Sequence, residues 1–102
     1  MRAREGTSFA AVPVPVLALD TLFDQINVLK VDVEGMEGRV LAGARRLLAD
    51  PERRPRMMIV EVHEEVLVGH GESWDKILAA IPGYDWEALD GSGRAQWVGQ
   101  AR

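Results

Sequence analysis

Apolar residues recur along the chain in two kinds of pattern. Short runs rich in strand-forming residues occupy positions 27–33 ("NVLKVDV") and 57–62 ("MMIVEV"), and such runs are typical of β-strands. Between them, "MEGRVLAGARRLLAD" (36–50) repeats apolar residues at helical spacing and turns its arginines away, which predicts an amphipathic helix ended by Pro51. Because the two apolar runs alternate little, we expect strands covered on both faces, as in a parallel sheet.

Weaker signals complete the order of elements. "VPVLALD" (14–20) predicts a short extended segment, and Asp20 is the expected cap of a helical turn through "TLFDQ". Ser73 is the predicted N-cap of a second helix, "SWDKILAAI", which Pro82 and Gly83 end. "YDWEALD" and "RAQWVGQ" flank "GSG" and predict an antiparallel hairpin. The predicted fold is therefore α/β, with parallel strands and crossover helices ending in an antiparallel hairpin.

Composition and charge narrow the class of protein. The chain has 102 residues, of which 47% are apolar and 27% charged, so it is long enough for one small globular domain. A net charge of −4 without a basic stripe argues against nucleic acid as a partner. The absence of cysteine excludes disulfides and thiolate sites. We find no leader or membrane span in the sequence and expect a cytoplasmic protein, with residues 1–13 loosely ordered and 14–102 forming the domain.

Four polar residues mark the predicted ends of the two strands: Asp32 and Glu34 on the first, Glu61 and His63 on the second. Sites in open α/β sheets lie beyond the carboxyl ends of parallel strands, so we predict that these four residues converge as a catalytic group. Such a group can orient a hydroxyl, remove its proton through His63 or Asp32, or hold a divalent ion through carboxylate oxygens.

The same strand and the turn after it also allow structural roles for their charged residues, as alternatives to catalysis. Lys30 and Asp32 stand two apart on one strand face and can pair as ions. Glu34 and Glu37 can favour the start of the following helix, whose first turn attracts negative charge.

The remaining histidine and the three tryptophans carry weaker signals. His63 and His70 lack the further ligand spacing of a zinc site, so we assign no metal ligands. Trp74, Trp86 and Trp97 are predicted to lie in the core or on a sheet face.

Longer segments resemble a known family. "LKVDVEGMEGRVLAGARRLL" and "MMIVEVHEE", with "VPVLALDTLFDQ" before them, resemble the C-terminal half of FkbM-family methyltransferases, from about Val14 to about His63. The resemblance implies transfer of a methyl group from S-adenosylmethionine, commonly to hydroxyl groups of sugars or secondary metabolites. It also implies the second half of a Rossmann-like methyltransferase sheet, in which the last strand turns back antiparallel.

The family's cofactor-binding first half has no counterpart in this sequence. "GHGES" lacks a strand before it, and "GSGRAQ" reads as a hairpin turn, so neither supplies the glycine-rich turn, and no ribose carboxylate is assigned. We therefore expect a truncated, acceptor-side fragment that is inactive alone, with its cofactor-binding residues unassigned. Its expected partners are a small-molecule acceptor and either a missing N-terminal half or a second copy through the exposed edge of strand 27–33. The alternative is a non-catalytic remnant or interaction module.

Overall fold

The computed structural model describes residues 10–89 and 96–102. Its strands are β1 (Val28–Val31), β2 (Met57–Glu61), β3 (Tyr84–Ala88) and β4 (Gln96–Ala101). Its helices are α1 (Leu19–Leu22), α2 (Glu37–Ala42), α3 (Arg45–Ala49), α4 (Glu64–Gly69) and α5 (Trp74–Ala79). The described chain is therefore α/β, as the sequence predicts.

The four strands form one mixed sheet in the order β1-β2-β4-β3. β1 runs parallel to β2, with Val28 opposite Met57 and Val31 opposite Val60. β4 lies antiparallel between β2 and β3. A parallel pair followed by an antiparallel pair is confirmed, whereas the predicted "GSG" turn lies outside the described residues.

The sheet buries one face, and the prediction of strands covered on both faces is wrong. Met58 and Val60 of β2 are fully buried, whereas their neighbours Met57 and Ile59 are half-buried. The buried pair packs in one core with side chains of the helices, among them Leu41 and Leu48 of α2 and α3, Leu67 of α4 and Trp74 of α5. The sequence hides this alternation because both faces of β2 carry apolar residues.

The predicted helix over 36–50 is two helices, α2 and α3, which meet at Gly43 and Ala44. The break exposes the first N–H groups of α3, and the Asp20 carboxylate accepts from two of them, Arg46 N at 2.8 Å and Leu47 N at 3.0 Å. Asp20 lies inside α1 and caps α3, so its predicted role as the cap of its own turn is wrong. The free N–H groups at the start of α3 bind the Asp20 carboxylate in place of those of α1.

The second predicted helix begins as expected. Ser73 Oγ accepts from Lys76 N at 3.2 Å and so caps α5. Trp74 is buried behind it and packs edge-to-face against Trp86, with ring centroids 5.2 Å apart, and 6.0 Å from Trp97. The tryptophans therefore join the core and sheet face as predicted.

The residues before α1 lie differently from the prediction. Residues 10–18 form neither helix nor strand and are exposed, and within the described ranges β1 pairs with β2 alone. Leu19 and Asp20, the last two residues of the predicted extended segment 14–20, belong to α1 instead. The expected loose order of residues 1–13 falls largely on residues outside the described part. Among the described helices, all are too short to cross a membrane.

Candidate functional site

Two turns follow the parallel strands at the same edge of the sheet. β1 ends at Val31 and the chain turns through 32–36 into α2, while β2 ends at Glu61 and turns through 62–63 into α4. Because β1 and β2 are adjacent and parallel, their carboxyl ends lie side by side, with backbones about 4.8 Å apart. We call these two turns, residues 31–37 and 61–66, the carboxyl edge.

The first turn depends on a left-handed backbone. Glu34 has a φ of 49° and Gly35 a φ of 99°. A Cβ atom on Gly35 would overlap the Val66 side chain of α4, so both the conformation and the close packing require glycine. This sharp reversal starts α2 beside the second turn.

Glu37, the first residue of α2, joins the two turns. Its side chain is 0% exposed. One carboxylate oxygen, Oε2, accepts from Gly35 N at 2.6 Å. The other, Oε1, accepts from His63 N at 3.0 Å and lies 3.1 Å from His63 Nδ1. A buried carboxylate requires such donors, and hydrogen bonds to a charged group are stronger than neutral ones.

The two partners shift each other's titration. Burial raises the pKa of Glu37. The hydrogen bonds from the backbone and ring of His63 and from Gly35 together have a larger, opposite effect, so the pKa lies below its ordinary value. The hydrogen bond to Glu37 raises the pKa of His63; partial burial lowers it, and the charges of Glu37, Glu61 and Asp32 raise it, leaving the pKa above its ordinary value. The imidazole therefore takes up a proton more readily than a free histidine does.

Three of the four predicted site residues meet in space. Asp32, Glu61 and His63 each place one oxygen or nitrogen within 4.8 Å of the others. Asp32 is exposed and the other two are half-buried, so the cluster is open to a ligand. Since His63 Nδ1 faces Glu37, the neutral ring keeps its free lone pair on Nε2. We call these three residues the Asp32 cluster.

Three other residues that the sequence singled out do not belong to the cluster. Glu34 is exposed and forms the turn itself. Lys30 is exposed, and the ion pairs of the described residues include none between Lys30 and Asp32. His70 is exposed at the C-terminal end of α4.

Glu37 is the site residue that sequence reasoning missed. From the sequence, Glu37 is predicted to favour the start of a helix through its charge. In the structure its buried carboxylate instead hydrogen-bonds the backbone and ring of His63. No local signal in the sequence points to its burial, because its partner His63 lies in the other turn.

Comparison with protein families supports the resemblance. A family model described as the methyltransferase FkbM domain matches residues 2–94, which is nearly the whole chain and more than the segments that carry the resemblance. The chain matches no curated protein and no solved structure. On the family match, the chain belongs to the FkbM methyltransferase family.

Proposed function

We propose that this chain is the acceptor side of an S-adenosylmethionine-dependent O-methyltransferase that acts on a hydroxyl of a sugar or secondary metabolite. The observation that carries the proposal is the meeting of Asp32, Glu61 and His63 at the carboxyl ends of two parallel strands. The carboxyl edge is where open α/β sheets bind their substrates.

The sheet supports the same proposal. Its last strand, β4, enters antiparallel between β2 and β3, as expected for the second half of a Rossmann-like methyltransferase sheet. β1 would then be the strand at which the first half joins.

Methyl transfer to a hydroxyl requires an aligned oxygen and a group that takes the proton. In the proposed mechanism, the carboxylates of Asp32 and Glu61 accept hydrogen bonds from the acceptor's hydroxyl groups and orient them. His63 Nε2 takes the proton, and the Glu37 carboxylate stabilises the resulting imidazolium through Nδ1. The hydrogen bond to Glu37 raises the pKa of His63 and so makes its imidazole a stronger base. Asp32 is the alternative base, because it is exposed in the same cluster.

The described residues do not fit the methyl donor. The space beside Gly35 is filled by Val66, and Gly71, which has a φ of 73° and open space around it, follows helix α4 rather than a strand. Within residues 10–89 and 96–102 we therefore assign no S-adenosylmethionine ligands. We propose that the N-terminal half of the fold holds the donor, and that the 102-residue chain alone binds it no more tightly than roughly 10 μM, which calorimetry measures.

Reconstitution tests the proposal. The chain is mixed with, or fused to, the N-terminal half of another FkbM-family methyltransferase, and transfer of a labelled methyl group to that enzyme's hydroxyl acceptor is measured. We expect His63→Gln or Asp32→Asn to slow transfer by about 100-fold, the usual contribution of a positioned base. Glu52→Gln, which removes an exposed carboxylate from the turn before β2 and outside the carboxyl edge, is the matched control and leaves the rate unchanged.

Two results would contradict the proposal. Full activity in the His63 and Asp32 variants would remove the Asp32 cluster from the reaction. A well-assembled complex that transfers no methyl group would favour the alternative, a folded module without catalysis.

A further inference from the structure

The Asp32 cluster gathers negative charge, and no Lys or Arg of residues 10–89 and 96–102 forms an ion pair with it. The ion pairs of the described residues join Asp50 to Arg53, Asp85 to Arg102 and Glu37 to His63, and none of them includes Asp32 or Glu61. With Glu37 beside them, three carboxylates therefore surround one imidazole. Like charges this close repel each other, and a bound cation would relieve the repulsion.

The spacing of the cluster is that of ligands around one ion. Oxygen and nitrogen ligands lie about 2.0–2.4 Å from a divalent cation, so two ligands of one ion lie at most about 4.0–4.8 Å apart. The three donor atoms of Asp32, Glu61 and His63 all lie within 4.8 Å of one another. The three donor atoms are therefore close enough together to be ligands of a single ion.

The environment of His63 is a separate observation that favours the same conclusion. Metal-binding histidines commonly donate their second ring N–H to a carboxylate, which fixes the tautomer and aims the other nitrogen at the metal. His63 Nδ1 lies 3.1 Å from the fully buried Glu37 carboxylate, which also accepts from His63 N. Glu37 therefore holds the ring so that Nε2 carries the free lone pair.

We propose that Asp32, Glu61 and His63 bind one divalent cation, and that Glu37 positions His63 for it. Two carboxylates and one imidazole suit a first-row transition ion such as Mn²⁺ better than Mg²⁺ or Ca²⁺, which prefer oxygen ligands alone. Because Asp32 is exposed, the ion keeps open positions for water or an alcohol oxygen. There the ion would hold the acceptor oxygen and lower the pKa of its hydroxyl. Because Nε2 of His63 would then be a ligand, the proton would pass to the second carboxylate oxygen of Asp32, the alternative base, instead of to His63. Only this use of the ion rests on the proposed function; its binding does not.

Titration of the 102-residue chain with MnCl₂ tests the site, with free Mn²⁺ measured by electron paramagnetic resonance. We expect one Mn²⁺ per chain with a dissociation constant below roughly 100 μM. Asp32→Asn and Glu61→Gln each weaken binding at least about tenfold, and Glu37→Gln weakens it by about 10- to 100-fold, as loss of a residue behind a metal ligand does. Glu52→Gln, the matched loss of an exposed carboxylate outside the carboxyl edge, leaves the affinity unchanged.

The outcome is decided by variants that keep the fold. Asp32 is exposed and Glu61 half-buried, so their amide variants remain folded, which circular dichroism checks; if Glu37→Gln unfolds the chain, these two decide the result. A wild-type chain that binds no Mn²⁺ below about 1 mM, or equal affinity in Asp32→Asn, would overturn the cation site. Methyl transfer by the reconstituted enzyme in that case would leave the proposed function standing without the ion.

Discussion

Two regions of the molecule reverse the usual burial of side chains, in opposite ways. One is the carboxyl edge. The other, which we call the N-terminal flank, comprises residues 10–23 and the side of β1 that faces away from β2. At the carboxyl edge, an ionisable residue, Glu37, is wholly buried and satisfied by donors from both turns. At the N-terminal flank, Val16 is 93% exposed, Phe23 50% and Val28 47%. Buried charge that is fully hydrogen-bonded orients chemical groups, whereas apolar side chains in water favour contact with another chain. The first region is therefore the candidate for chemistry and the second for assembly.

The largest effect should come from the turn that brings the carboxyl edge together. Gly35→Ala should lower the free energy of unfolding by about 3–5 kcal/mol, because a left-handed backbone and an overlap with Val66 both oppose the new methyl group. Gly71→Ala is the matched control. Its φ of 73° is also left-handed, but apart from its chain neighbours no described atom lies within 4 Å of the Cβ that alanine would add. It should cost only about 1–2 kcal/mol. Urea denaturation measures both, and equal losses would show that packing against Val66 does not matter.

The next effect concerns the buried carboxylate itself. Glu37→Gln should lower the free energy of unfolding by about 2–3 kcal/mol, because the amide cannot accept from Gly35 and from His63 together. Glu34→Gln removes an exposed charge from the same turn and should change stability by less than about 0.5 kcal/mol. The pair of variants separates a specific anchor from general charge in this turn, and similar values for both would contradict the role of Glu37.

The sequence predicts the carboxyl edge better than the N-terminal flank. Local apolar runs predict the two strands and their parallel pairing. The rule that sites lie at strand ends predicts that three of the four candidate site residues meet, although it does not test their role. The role of Glu37 does not follow, because its burial depends on His63 from another turn.

Long-range partners also explain the other differences. The break between α2 and α3 is stabilised by Asp20, which lies more than twenty residues earlier in the chain. The single buried face of β2 depends on which side the helices pack, and the apolar residues Met57 and Ile59 conceal that choice. Local periodicity carries no information on either point.

Stability should depend on pH through the pair of Glu37 and His63. The pKa of His63 is raised, so its contribution is complete below its ordinary 6.5 and is lost as the pH rises through the raised value. The pKa of Glu37 is lowered, so its contribution is complete above its ordinary 4.5 and is lost as the pH falls through the lowered value. The pair therefore stabilises most between pH 4.5 and 6.5.

Urea denaturation over a pH series measures this dependence. Glu37→Gln should flatten the profile on both sides, because it removes the carboxylate and its effect on His63 together. A wild-type profile with the same shape as that of the variant would contradict the coupling.

The smallest effect on stability belongs to the N-terminal flank. Val16→Ser should change the free energy of unfolding by less than about 0.5 kcal/mol, because the side chain already lies in water. It should nevertheless reduce self-association, since exposed apolar side chains favour contact with another chain. Sedimentation velocity over a wide concentration range measures this, with Thr21→Ser as a conservative control in the same segment. A wild-type chain that stays monomeric throughout would remove the assembly role from this flank.

The titration of His63 by nuclear magnetic resonance tests most directly whether the two turns form one site. The structure predicts a pKa above 6.5 in the wild-type chain, with the neutral ring protonated on Nδ1. Glu37→Gln should lower that pKa most, since the hydrogen bond is its main cause, and Asp32→Asn should lower it less, since the charge of Asp32 acts without a hydrogen bond. A wild-type pKa at or below 6.5 that neither variant changes would show that His63 does not meet the other turn, and the proposed site would not exist.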